Sequence, residues 1–475
     1  MPNSSPPRDM VVLLCAMAGA ALATIPLLMP AHSFDRGIFV SVAERLLAGD
    51  TLYRGVWDNK GPLFYYLVAC ERLAGSTGEV LAEIFLAALS CFSVFKLAAA
   101  FSGFRNALLA GFVAAPLILT GVYYFPGYSH LPAIALSFAA LALAAAGQPV
   151  WSGFALGLVA FTNILVAPVA FCSVFALYRS DAKAVWFVRV AIGVALSSAS
   201  VIALLLARGE FRPFLDSIFA NFAYSQGSLV KGRGLMGRLL SHLSLIAFDR
   251  AKVIAAAMCA CLLYARLNSR ASGGKLLAAA ITSFCASAAM LAATGLWRQH
   301  LQLLSIPAIL SVCAVLASDL KSRTVPRLAI TILLSWILSG AGDPRRYVEA
   351  ARRLGDNWKG LNAVPQDTLA MTAGARPSTY ARLGKNDDGG HAIGLARWKL
   401  GCARFHQYPF DTAEIRNKAL DCAAGVETIL VTPSFAPEQG QPEWNRFVAQ
   451  GEKLLSTRFH CDRRGIFRIC RRTGA

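Results

Sequence analysis

The sequence is short of charge. Only 15% of its 475 residues are Asp, Glu, Lys or Arg, where soluble domains carry about 25%. Acids are scarcer still, 27 against 46 basic residues, for a formal net charge of +19. In a soluble chain that excess would suggest nucleic acid. Here many of the positives lie in short loops between apolar runs, where they set orientation instead, and no nucleic-acid partner is expected. Four cysteines outside the apolar runs, Cys402, Cys422, Cys461 and Cys470, have no C-x-x-C spacing and no histidine pair beside them, which argues against a zinc site. No metal-ligand set stands out. Lys231-Gly232-Arg233-Gly234 has no Gly-Lys-Ser/Thr end and no strand before it, which argues against a nucleotide loop. No small-residue cleavage site stands out after the first apolar run, Met10 to Pro30, so it reads as a retained helix rather than a signal peptide.

What is present is apolar surface, 56% of the chain. Runs of spanning length lie at 10–30, 79–100, 106–125, 130–147, 184–207, 243–264, 275–296, 300–317 and 325–341. Residues 150–178 are too long for one upright crossing of about 20 residues. They predict two short helices in a hairpin, interrupted at Thr162-Asn163 and again at Pro168. The fold expected is an α-helical polytopic membrane protein of about 9–11 spans with a small C-terminal α/β domain outside the membrane. The spanning part covers residues 1–341 and the soluble domain 342–475, since the chain turns polar at Gly342-Asp343-Pro344. In that domain strand-like runs at Thr428 to Thr432 and Gly465 to Cys470 alternate with helical patches at Pro344 to Leu354 and Glu443 to Leu455.

Orientation follows from the loops. Phe104-Arg105, the stretch from Tyr178 to Lys183, Arg266 to Lys275, and Lys321 to Arg327 are short and basic. Placing them in the cytoplasm puts residues 32–78, 208–242, the Trp297–His300 turn and the terminal domain on the opposite, extracytoplasmic face. That face is oxidising, so the four polar cysteines read as two disulfides. The pairing expected is Cys402–Cys422 and Cys461–Cys470, with four reduced thiols as the alternative.

The most informative stretch is 32–67, a charged outer loop following the first apolar run. It reads as an amphipathic helix (Ile38, Val42, Leu46), a tight loop, and a second helix entered through Gly61-Pro62. Asp35 near its start is either a helix N-cap or a general base held at the membrane face. Asp58 and Lys60 sit in the Gly/Pro-rich turn after Trp57. They are either a solvated turn beside an interfacial anchor or a substrate contact, in which Lys60 meets a phosphate as a point charge. Arg298, His300 and Gln302 form a polar row at a span boundary. They either face headgroups or bind a lipid phosphate, for which Arg supplies a two-pronged donor. Tyr128 and His130 form another outer-face turn.

The segment Asp35-Arg36-Gly37, then Ala43 to Tyr53, then Trp57 to Leu63 resembles the first outer loop of GT-C glycosyltransferases. It is most similar to the branch of protein mannosyltransferases and lipid A aminoarabinose transferases. Lys60-Gly61-Pro62-Leu63 resembles that branch's Lys-Pro-Pro-Leu element, and Arg298 to Pro307 its later His/Gln-Leu-Leu-Pro element. The resemblance covers roughly residues 10–341. It implies inverting transfer of a sugar from a polyprenyl-phosphate donor to a glycan, lipid or protein acceptor, with Asp35 as catalytic base. Asp58, Lys60, Arg298, His300, Gln302, Tyr128 and His130 become candidate substrate contacts, and Lys60, Arg298 and His300 are expected to converge with Asp35. No cofactor is implied as required, and a divalent cation is compatible. The location implied is the bacterial inner (plasma) membrane, multi-pass, with a cytoplasmic N-terminus and the terminal domain periplasmic or extracellular. The alternatives are a transporter or flippase of a lipid-linked glycan and a non-catalytic scaffold. A transporter predicts interrupted helices in matching halves, and the sequence shows one interrupted hairpin and no counterpart.

Overall fold

The computed structural model describes residues 34–121, 127–177, 183–228, 251–268, 271–294, 298–318, 330–335, 379–385, 398–403, 407, 411, 413–465 and 467–473. They divide between two compact units. One is drawn from Thr77–Ala203 and Gly232–Trp358, the other from Pro30–Ser76, Leu204–Lys231 and Lys359–Ala475.

The first unit is helical. It contains most of α3 (Gly75–Ala99) and then α4 (Phe104–Leu109), which passes through a π turn at Ala110–Ala114 into α5 (Ala115–Gly121). There follow α6 (His130–Ala145), α7 (Pro149–Thr162), α8 (Val166–Leu177) and α9 (Lys183–Ala207). After these come α11 (Ala251–Asn268), α12 (Ala271–Thr294), a 3-10 turn at Arg298–Leu304, and α13 (Ser305–Ala317). One apolar core joins them, from Cys91 and Phe95 through Phe138, Leu156 and Val169 to Leu310. Among the described residues, four helical stretches are long and apolar enough to cross a membrane: Thr77–Ala99, Ala184–Ala207, Gly273–Ala293 and His300–Ala317. Five shorter apolar helical stretches, including Pro149–Thr162 and Val166–Leu177, accompany them.

Small residues set the closest helix approach. A Cβ placed on Gly153 of α7 would lie 2.0 Å from the Val190 carbonyl oxygen of α9, and one on Gly193 would lie 1.9 Å from that of Val150. Four positions further along each helix, Gly157 and Ser197 continue the crossing: a Cβ on Gly157 would meet the Ser197 hydroxyl at 1.9 Å. Without a hydrophobic drive between helices in lipid, such backbone proximity is what packing gains there.

The predicted hairpin of short helices forms, with one break rather than two. The α7 helix ends at Thr162, Asn163 is extended, and α8 begins at Val166. The Asn163 side chain stabilises the break: its Oδ1 accepts the Leu165 N–H at 3.0 Å and its Nδ2 donates to Ser129 Oγ at 3.0 Å. The second interruption expected at Pro168 does not occur. Pro168 is the third residue of α8, in the first turn, where a missing N–H removes no helical bond.

The second unit combines α1 (Phe34–Leu47), α2 (Pro62–Leu73) and α10 (Phe211–Ser228) with the terminal strands. The expected outer-loop architecture forms: α1, a loop at residues 48–61, and α2 entered with Pro62 at its N-terminus. Proline suits that position because its fixed φ is helical and its missing N–H is not needed. The terminal domain is α/β. Its sheet has the order β1 (Tyr380–Leu383), β2 (Thr428–Val431), β4 (Phe467–Arg472), β3 (Phe459–Arg464). The β1–β2 pair is parallel and the other pairs are antiparallel. Helices α14 (Ala413–Ala423) and α15 (Pro442–Arg458) complete it, around a core of Trp444, Phe447, Ile429 and Phe435. The expected strands at 428–432 and 465–470 and the expected helix at 443–455 all appear; β1, β3 and α14 were not anticipated. The expected helix at 344–354 lies outside the described residues.

Both disulfides form with the expected pairing. Cys402 bonds Cys422 across 20 residues, and Cys461 bonds Cys470. The second pair faces directly across the β3–β4 ladder, so the sheet register itself brings the two sulfurs together.

Candidate functional site in the outer loop and the helical unit

Asp35 is the second residue of α1. The helix therefore starts before it, and Asp35 lies inside the first turn rather than at the preceding cap. An acid in that turn favours the positive end of the helix dipole. Of its side chain nothing is described.

The loop after α1 is internally tied. Tyr53 adopts φ 65°, a left-handed conformation that costs a residue with a Cβ and persists only where its surroundings enforce it. Two contacts enforce it: the Tyr53 N–H donates to Val56 O at 2.7 Å and its hydroxyl to the Lys60 carbonyl at 2.7 Å. Asp58 is buried, at 4% exposure, and accepts a hydrogen bond from the Tyr65 hydroxyl. Its carboxylate thus faces the loop–α2 interior. Burial, and then the Asp58 charge, raise the Tyr65 phenol well above 10.0. Lys60 is half-buried at the loop's end, with Nζ 2.7 Å from Asn59 Oδ1 and 5.7 Å from the centre of the Phe39 ring. An ammonium over an aromatic face is stabilised by the ring quadrupole and is held at one place in the loop.

The loop also meets the terminal domain within the second unit. The Trp57 N–H donates to Ala403 O at 2.8 Å, and Arg45 donates to Leu400 O and pairs with Asp50.

In the helical unit a different group of expected residues comes together. His130, at 2% exposure, and His300 have ring centres 5.7 Å apart, and Tyr128 lies 6.4 Å from His130. Gln302 is buried in the same 3-10 turn as His300. Arg298 opens that turn, and its side chain is not among the described atoms. The turn before α6 is held from two sides. Glu83 of α3 accepts the Gly127 N–H at 2.7 Å, and Ser129 receives Asn163.

Three acids were missed in the sequence. Glu79 and Glu83 are buried in α3 at 3% and 5% exposure, and Glu210 is fully buried in the second unit. The signal for the first two was present, since ionisable residues inside an apolar span are costly and tend to be functional. Glu210 follows directly on a spanning run and gave none. Among the described residues, no group of three or more His, Cys, Asp or Glu is arranged to hold a metal ion.

No protein-family model matches the sequence. No curated protein matches it either. Solved structures do. An oligosaccharyltransferase of Archaeoglobus fulgidus, crystallised with Zn and sulfate, is 14% identical, with TM-score 0.43 over 89% of this chain and 68% of that one. The oligosaccharyltransferase AglB of the same organism, in complex with an inhibitory peptide and a dolichol-phosphate, is 14% identical, with TM-score 0.49 over 98% of this chain and 74% of that one.

Proposed function

We propose that the protein is an integral-membrane inverting glycosyltransferase that moves a sugar from a polyprenyl-phosphate donor to an extracytoplasmic acceptor, whether glycan, lipid or protein. The observation that carries the reading is the outer loop. The segment whose residues resemble the first outer loop of GT-C enzymes folds as helix, pinned loop and helix, with Asp35 in the first turn and Lys60 at the loop's end. The apolar helices fit an enzyme whose donor is dissolved in a bilayer.

The reaction is a single displacement. The acceptor hydroxyl oxygen bonds the anomeric carbon, the bond from that carbon to the phosphate oxygen breaks, and the electron pair leaves with the polyprenyl phosphate. Asp35 takes the acceptor's proton. Lys60 is assigned to the charge that grows on the phosphate. Arg298, His300, His130, Gln302, Tyr128 and Asp58 remain candidate contacts, each resting on its own substitution. No cofactor enters these steps.

Asp35→Asn keeps the side chain's size but removes its basicity. Loss of a general base lowers rate by about 10²–10⁴-fold. The variant is expected to insert and fold like the wild type and to fail in transfer from a polyprenyl-phosphate sugar in membrane vesicles. Near-normal transfer with loss in Asp58→Asn would move the base to Asp58. Normal transfer in both would remove the glycosyltransferase reading.

A further inference from the structure

Glu210 stands outside every role assigned so far, yet it is the most enclosed carboxylate among the described residues of the second unit, with no exposed surface. Its Oε1 accepts the Leu52 N–H at 2.9 Å and the Arg208 Nε–H at 3.0 Å, and its Oε2 accepts the Tyr66 hydroxyl. Arg208 extends the reach: its Nη2 donates to the Asp50 carbonyl at 3.2 Å, and its guanidinium lies 5.6 Å from the Tyr66 ring centre. The contacts fall on both borders of one loop. Asp50 and Leu52 open it, and Tyr66 lies in α2, just beyond its close.

A buried charge is costly unless paired and hydrogen-bonded. Glu210 meets that demand with groups from the loop, its far helix and its own neighbour, so the carboxylate and the loop geometry stabilise each other. The residue after Leu52 is Tyr53, whose left-handed backbone and hydroxyl contact fix the Lys60 carbonyl. The chain of contacts thus runs from Glu210 through Leu52 and Tyr53 to Lys60. We propose that Glu210, with Arg208, is the positioning residue of the proposed donor loop: it clamps both ends of residues 50–66 so that Lys60 is presented to the donor's phosphate. The Lys60 part rests on the glycosyltransferase reading; the clamp does not.

The test uses the full-length protein in detergent micelles, with Glu210→Gln and the milder Tyr66→Phe. The first readout is hydrogen–deuterium exchange of residues 50–60. Exchange there is expected to rise at least tenfold in Glu210→Gln and less in Tyr66→Phe, with α6 to α8 unchanged. Unchanged exchange in the loop, or a rise throughout the protein, overturns the clamp. The second readout is binding of a synthetic polyprenyl monophosphate. Glu210→Gln is expected to weaken it about tenfold, and Lys60→Ala is expected to add nothing further in that background, since residues acting through one another are non-additive. Independent, multiplying losses overturn the link to Lys60. If the wild type does not bind the probe, the donor reading and the Lys60 link fall together, while the exchange result still decides the clamp.

Discussion

At the scale of single residues, the second unit is notable for buried phenols set against carboxylates. Burial and the Asp58 charge raise Tyr65 well above 10.0, and burial with Asp58 and Glu210 does the same for Tyr53. A raised folded value means that the folded state holds its proton longer than the unfolded chain. The associated stability is complete below the unfolded value of about 10 and drains away as pH climbs from there through the folded values. A titration of phenolate absorbance is therefore expected to show a group of tyrosines that stays protonated until unfolding, in step with a fall in thermal stability above about pH 10. Replacing Tyr65 with Phe removes a hydrogen bond to a buried carboxylate and is expected to destabilise the unit by about 1.5–3 kcal/mol. Early titration of every tyrosine while the protein stays folded would contradict the burial of these two.

At the scale of elements, the α7–α9 crossing is the most demanding contact. Both helices bring glycine to the point where backbone meets backbone, and an added methyl at Gly153 would overlap the Val190 carbonyl. Gly153→Ala is expected to lower stability by about 1–3 kcal/mol, the usual range for overpacking. Gly274, in the first turn of α12, faces open space, so Gly274→Ala is expected to be neutral or to stabilise by up to about 1 kcal/mol. Thermal melts of the two variants in the same detergent decide it, and equal effects would remove the close crossing. Several elements were legible in the sequence because a local signal matched a local structure. Gly61-Pro62 marked the start of α2, and Asn163 marked the break between α7 and α8. Pro168 misled because proline is a breaker only after the first turn.

At the scale of the whole molecule, the expected topology places the terminal domain on the extracytoplasmic face. A reporter fused after Ala475 that works only outside the cytoplasm is expected to be active, and a cytoplasm-only reporter silent. The two disulfides give a second measure. A thiol reagent added to the denatured, unreduced protein is expected to spare Cys402, Cys422, Cys461 and Cys470 and to label the apolar-helix cysteines such as Cys172 and Cys285. Labelling of all four terminal cysteines before reduction, with an active cytoplasmic reporter, would invert the orientation.

The sequence by itself determined what depends on neighbours along the chain. Apolar run lengths gave the helical class, the helix–loop–helix of residues 34–73 followed from amphipathy and Gly61-Pro62, and four cysteines in the polar terminal domain pointed to two disulfides, whose pairing the tertiary structure decided. Contacts between residues distant in sequence belonged to the tertiary structure. Glu210 reaches Leu52 across 158 residues, Glu83 reaches Gly127 across 44, and His300 meets His130. The parallel β1–β2 pair is of the same kind. A buried carboxylate or imidazole has no periodic pattern to announce its partner. Its neighbours are set by desolvation, which makes an enclosed charge find donors wherever the fold brings them.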